Sequence, residues 1–286
     1  MIVGFRKKKK KTEPQYLPSE LNTKMMNYCV YKMKAMEKIV YFFAAILVGG
    51  IVGLVFYANL FMVDGETTIA TYISNLVVFW GVGIFAATKF LPMREKQLRE
   101  KRQNVLNLQF REMLAALATA FSAGENLLGA FQSAQNEMIM QFGADSYIAK
   151  EVKEILAGMN SNISIERLLN NFAARSGLED VENFANIISI CYQKGGNMKS
   201  IVRNTYDLIG DKITISEEIK TKLTSNKMQQ NFMSVIPIVL IGYLRVSSSS
   251  FAQSFSSFTG VIVMTIAVGI FIGSYLYGKK IIEIKG

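Results

Sequence analysis

The sequence predicts an all-α, multi-pass membrane protein: about four transmembrane helices, with a cytoplasmic helical bundle of about six helices between the second and the third. Three observations predict it. Half of the 286 residues are apolar and the mean hydropathy is positive, too apolar for a water-soluble domain of this length. Uncharged runs of membrane-crossing length stand on both sides of a charged central stretch. Within that stretch apolar residues recur at helical spacing and never alternate with period two.

The first span lies in the 25 uncharged residues Ile39 to Val63, and the second in the 22 from Thr67 to Thr88. About 20 residues of helix cross ~30 Å of hydrocarbon. Only Asp64-Gly65-Glu66 separates the two, so they form a hairpin. Near the other end, Phe258 to Tyr277 gives 20 uncharged residues, the last span. Met228 to Leu244 has only 17 and contains Pro237. Arg245 follows directly; a guanidinium at mid-bilayer costs at least ~2.5 kcal/mol, so it is expected to snorkel to the boundary.

Charge sets the orientation, because cytoplasmic flanks carry excess Lys and Arg. Residues 1–38 hold ten bases and three acids, the 64–66 turn two acids and no base, and residues 89–227 hold 18 bases and 16 acids. Lys89, Arg94, Lys96, Arg99, Lys101 and Arg102 crowd the exit of the second span. Four spans place every basic flank inside, whereas three would strand Lys279 and Lys280 outside. The expected organisation is a basic cytoplasmic tail (1–38), a transmembrane hairpin (39–88), the cytoplasmic bundle (89–227), a second transmembrane pair (228–278) and a cytoplasmic tail (279–286). The run Lys7 to Lys11 reads as a topology signal and not as a nucleic-acid contact. No cleaved signal peptide is expected, since the first apolar run begins at position 39. The two cysteines, Cys29 and Cys191, have no metal or redox spacing and are expected to be reduced.

In the bundle, Phe110, Met113, Leu114, Leu117, Ala118 and Phe121 form one apolar stripe that Gly124 ends. A second helix is predicted over Asn126 to Gln141, burying Leu127, Phe131, Ala134 and Met138. A third, over Tyr147 to Met159, buries Ile148, Val152, Ile155 and Leu156, and Asn160-Ser161-Asn162 ends it. Ser164 is placed to cap a fourth, which carries Ile165, Leu168, Leu169 and Phe172 and stops at Gly177. The fifth opens on Glu179, Asp180 and Glu182, acids suited to a helix N-terminus, and buries Phe184, Ile187, Ile188 and Cys191. After Gly195-Gly196, with Asn197 as a cap, a sixth helix is predicted from Met198 to about Asn226, running straight into the third span.

No catalytic chemistry is visible. The chain has no histidine, which removes the commonest general base, its pairing with Ser or Cys, and the imidazole metal ligands. Carboxylates such as Glu151/Glu154 and Glu217/Glu218 read as solvated helix surface, and no catalytic, cofactor-binding or metal-binding residue is assigned. The stretch Gly273 to Lys280 has the spacing of a phosphate loop but ends in Lys280, without the hydroxyl that such a loop needs, at the end of a membrane helix. Gly49/Gly53 and Gly269/Gly273 each set two small residues one turn apart, a pattern for close packing between membrane helices. The spans contain no carboxylate or lysine of the kind that marks a transport path.

Three stretches carry a resemblance. Leu114 to Phe131 is similar to the opening pattern of the type II secretion system F domain proteins, in which apolar helical positions are followed by Gly124 and Leu127. Ile165 to Gly177 resembles the middle helix of that family, and Phe184 to Leu208, with Lys194-Gly195-Gly196-Asn197-Met198, resembles its glycine turn. Pro237 falls where the family has proline at the head of a membrane segment. The likeness is greatest to the TadB/TadC-like platform proteins of tight-adherence (Flp) pili; the serine-rich stretch Ser247 to Ser257 and the basic tail depart from it.

The resemblance implies a non-enzymatic platform in the bacterial inner membrane, both termini cytoplasmic, that needs no cofactor. Its implied partners are a hexameric secretion ATPase, pilin subunits, a second copy or a paralogous platform protein, and the lipid bilayer, with no nucleic acid. Gly124, Glu125, Gly195, Gly196 and Asn197 are the expected ATPase-facing residues. The competing reading from another class is a membrane-bound sensor or regulator whose helical domain meets a soluble signalling partner.

Overall fold

The structure is a computed structural model that describes residues 14–61, 68–194 and 198–284. It is helical almost throughout and has two compact units. One joins the described residues up to Lys32 to Glu95–Lys212; the other joins Met33–Arg94 to the described residues from Ile213 onward.

The second unit contains the membrane elements. Four helices are long and apolar enough to cross a bilayer: α1 (Ala35–Tyr57), the first part of α2 (Ile69–Ser122), Met228–Ser247 within α7 (Met198–Ser247), and Phe258–Gly278 within α9 (Phe258–Ile284). A short α8 (Ser249–Ser256) links the last two, in the serine-rich stretch. The third span is therefore longer than the 17 residues first expected, because α7 continues through Arg245 to Ser247.

Arg245 makes contacts that its place at the end of the span did not announce. Its Nη1 donates to the Ala58 carbonyl at 2.6 Å and its Nη2 to the Phe56 carbonyl at 2.7 Å, while the guanidinium lies 5.7 Å from the Phe255 ring. The last carbonyls of α1 have no partner within their own helix, and a cation is favourable at that negative end. The charge that looked costly from composition thus closes the end of α1. Beside it, the Asn75 carboxamide oxygen accepts from the Asn59 amide at 2.8 Å, holding the chain as it leaves α1.

The first unit is the bundle. Its helices are the C-terminal part of α2, α3 (Leu127–Phe142), α4 (Tyr147–Asn160), α5 (Ile165–Ser176), α6 (Glu179–Lys194) and the first part of α7. The first bundle helix is not a separate element: α2 runs for 54 residues, past Pro92, from the membrane segment to Ser122. Leu106, Phe110, Met113, Leu114 and Leu117 of α2 are fully buried. Phe110 is central, with ring centroids 5.5 Å from Phe184 of α6 and 6.3 Å from Phe172 of α5. Phe131, Ala134 and Met138 of α3, and Ile148, Val152 and Ile155 of α4, complete the packing.

Turn chemistry sets the helix ends. Asn126 caps α3 by accepting from the Gly129 amide at 2.8 Å, and Ser146 caps α4 by accepting from Ala149 at 3.3 Å. Gly143 ends α3 at φ 83° and ψ 158°, a region open to glycine alone, and Gly177 ends α5 in the left-handed region at φ 62°, which glycine adopts without strain. Ser164 stands at the start of α5 but makes no side-chain cap; its carbonyl accepts from Leu168, and its hydroxyl plays no part. Ile187 is 37% exposed, and Leu156 is only partly buried. The buried face of α6 runs through Val181, Phe184, Ala185 and Ile188, which puts Ile187 on the flank.

The expected plain tail contains structure. β1 (Tyr16–Pro18) and β2 (Lys24–Met26) pair antiparallel, with Tyr16 opposite Met26 and Pro18 opposite Lys24. The Ser19 hydroxyl accepts from the amides of Leu21 and Thr23 and so closes the hairpin turn.

Because Phe110 joins three helices, Phe110→Ala is expected to destabilise the bundle by about 3–5 kcal/mol. Denaturant unfolding of the full chain in detergent measures this.

Candidate functional site

The site with the most chemistry is the seam where the N-terminal segment lies on α4 and α5. On α4, Glu151 falls within the stripe Ile148, Val152, Ile155, and on α5, Arg175 continues the stripe Leu168, Phe172. Helical spacing therefore drives a carboxylate and a guanidinium into the core from neighbouring helices. Their side chains are 1% and 4% exposed. They form a two-pronged pair, Nη1 to Oε1 at 2.7 Å and Nη2 to Oε2 at 2.6 Å. The expectation that Glu151 and Glu154 are solvated is thus wrong for Glu151: its position on the stripe outweighs its polarity once Arg175 supplies the counter-charge.

The rest of the guanidinium is used as well. Arg175 Nε donates to Asn171 Oδ1 at 2.8 Å, and Nη1 also donates to the Met26 carbonyl of β2 at 3.2 Å. The Tyr28 hydroxyl donates to Glu151 Oε1 at 3.0 Å, and the Tyr28 amide donates to the Arg175 carbonyl at 2.8 Å. Tyr28 and Asn27 are both 1% exposed. The segment around residues 14–31 is therefore a strap bonded to the same two side chains that join α4 to α5. Outlying contacts extend it: the hydroxyls of Ser19 and Thr23 donate to Glu154, Arg167 pairs with Glu20, and Arg102 of α2 stacks 4.4 Å from the Tyr31 ring.

Burial pushes the Tyr28 hydroxyl far above its ordinary value, helped by the neighbouring Glu151 carboxylate, so Tyr28 is a neutral donor at any physiological pH. Burial also pushes the Glu151 carboxyl up, against the pull of Arg175 and Tyr28. With both its oxygens already accepting, Glu151 is engaged in holding the strap and is poorly placed to take a proton from a substrate. Among the described residues no three His, Cys, Asp or Glu side chains gather as a metal site.

The partner-facing residues expected from sequence lie elsewhere. Gly124 is at φ 86° in the α2–α3 turn, exposed, with nothing near the position of a side chain. Glu125 accepts from Ser133 at 2.9 and 3.1 Å, a contact across the first two turns of α3. Gly195, Gly196 and Asn197 lie outside the described residues. In the membrane unit, a Cβ on Gly49 would stand 2.7 Å from the Ala86 side chain, and one on Gly53 3.0 Å from Val82, so α1 and α2 approach closely there. Gly269 and Gly273 differ: among the described residues a Cβ at either would meet nothing within 4 Å. The stretch that imitates a phosphate loop, Gly273 to Lys280, is helical throughout as part of α9 and forms no loop.

These features define a polytopic helical membrane protein whose bundle is clasped by its own N-terminal strap. Residues 113–244 match the family model for the Type II secretion system (T2SS), protein F. The match runs from α2 through the bundle to the third span. It takes in Glu151 and Arg175 but neither the strap nor the first hairpin. No curated protein and no solved structure matches the chain.

Sequence reasoning missed the strap and the pair. The legible signal was a charged residue at a stripe position on each of two successive helices.

Glu151→Gln and Arg175→Met each leave a buried group without its partner, and each is expected to destabilise the bundle by about 3–5 kcal/mol. The double variant Glu151→Leu/Arg175→Met is expected to lose less than either single one, and Tyr28→Phe to lose about 1 kcal/mol. Denaturant unfolding of the full chain reads all four.

Proposed function

We propose that the chain is a platform protein of a type II secretion or tight-adherence pilus system, of the TadB/TadC-like kind, in the bacterial inner membrane. It has no chemistry of its own and links a cytoplasmic hexameric ATPase to the assembly of pilin subunits. The observation that carries this reading is the secretion-family match at residues 113–244, taken with α7, one helix from Met198 in the bundle to Ser247 in the third span. A single helix that runs from the bundle into a membrane span suits a part that must pass movement from one to the other.

Two independent features support this orientation. The strap and the bundle belong to one compact unit, which supports placing them on the same side of the membrane and α1 and α2 as a hairpin between them. The excess of Lys and Arg in residues 1–38 and after the second span supports a cytoplasmic location for that side. The protein acts as a homodimer or with a paralogous platform, in contact with lipid along its spans.

The full-length chain in detergent is expected to co-purify with a hexameric secretion ATPase from the same organism, and failure to do so with and without nucleotide contradicts the platform reading. Topology is tested separately. In a chain carrying Cys29→Ser and Cys191→Ser, a cysteine introduced at Ser250 is expected to react with an impermeant thiol reagent in intact cells. One introduced at Ser133 is expected to react only after lysis. The reverse pattern contradicts the orientation.

A further inference from the structure

A cavity of about 470 Å³ opens between the β1–β2 hairpin and α4, entirely within the bundle unit. Sites for small ligands span roughly 300–1,000 Å³ and combine flat apolar walls with a few convergent polar groups. Here the flat walls are tyrosines. Tyr147, at the start of α4, stands edge-on to the buried Tyr28, with centroids 5.6 Å apart and planes at 88°, which fixes the orientation of its ring. Tyr16 of β1 adds a second ring, 51% exposed.

The polar groups are cationic. Lys24 comes from β2, and Lys150 and Lys153 from α4. Among the described residues Lys24 and Lys153 have no acidic partner. Lys150 reaches Asp145 at 2.9 Å, but that pair is solvent-exposed, the kind that stabilises little and exchanges readily for a stronger anion. The two carboxylates in the wall are already engaged. Glu151 is bonded by Arg175 and Tyr28, and Glu154 accepts from the hydroxyls of Ser19 and Thr23. The chemistry left for a ligand is therefore stacking surface beside ammonium groups.

We propose that this cavity binds a nucleoside monophosphate, with the base against Tyr147 and Tyr16 and the phosphate among Lys24, Lys150 and Lys153. Base stacking on an aromatic side chain tolerates any base, and ammonium groups bind phosphate as point charges. An uncharged aromatic would leave the lysines unused. The ligand is held and not turned over, since the site has no histidine and no free carboxylate beside the phosphate position. Strap residues form one wall and α4 the other, so occupancy ties the strap more firmly to the bundle. The site stands whether or not the chain docks an ATPase.

Equilibrium dialysis of radiolabelled AMP against the detergent-solubilised full-length chain tests this. Saturable binding of one AMP per chain is expected. Lys24→Ala/Lys153→Ala removes two exposed ammonium groups, so its unfolding midpoint is expected to stay unchanged while AMP affinity falls about tenfold or more. Adenosine and inorganic phosphate are each expected to compete at least about tenfold less well than AMP, because each makes only half of the contacts. Absence of saturable binding, equal affinity in the folded double variant, or competition by phosphate as strong as by AMP overturns the assignment.

Discussion

A carboxylate and a guanidinium removed from water must satisfy each other fully or destabilise the fold that buries them. That constraint organises the bundle. Glu151 and Arg175 meet in two-pronged geometry, and the donors left over reach Asn171 and the Met26 carbonyl. The oxygen of Glu151 facing the strap accepts from Tyr28. Because the pair is complete only with the strap in place, the N-terminal segment is part of the bundle's interior. A buried ion pair adds little net stability compared with apolar side chains of the same size. Its consequence here is specificity: one register of α4 against α5, and one seat for the strap.

The membrane unit uses a charge in the same way. Arg245 lies far along the chain from α1, yet it donates to the last free carbonyls of that helix. The end of the first span is thereby closed by the end of the third. Between α1 and α2 the constraint is steric, with Gly49 and Gly53 against Ala86 and Val82. Contact without side-chain bulk takes the place of the hydrophobic driving force that lipid cannot supply.

The spans and bundle helices were legible because each depends on local composition and period. The stripe Phe110, Met113, Leu114, Leu117 and the stop at Asn160-Ser161-Asn162 need no knowledge of the rest of the chain. The third span was legible mainly through the parity of basic flanks, since Met228 to Leu244 is short by itself. What escaped depends on contacts distant in sequence. Three-residue strands such as Tyr16–Pro18 have too short a pattern to read and exist because α4 and α5 hold them. Glu151 beside Glu154 looked like a solvated pair, because only Arg175, 24 residues on, makes its burial tolerable. Gly269 and Gly273 show the opposite limit: spacing suggested contact, but spacing does not name a neighbour.

Amide hydrogen exchange of the full-length chain in detergent tests the central claim, that the strap is locked to the bundle through the buried pair, most directly. The Tyr28 amide, bonded to the Arg175 carbonyl, is predicted to exchange as slowly as the mid-helix amides of α4 and α5, and to exchange fast in Glu151→Gln. Exchange of Tyr28 in the natural chain at the rate of an unstructured peptide would contradict it.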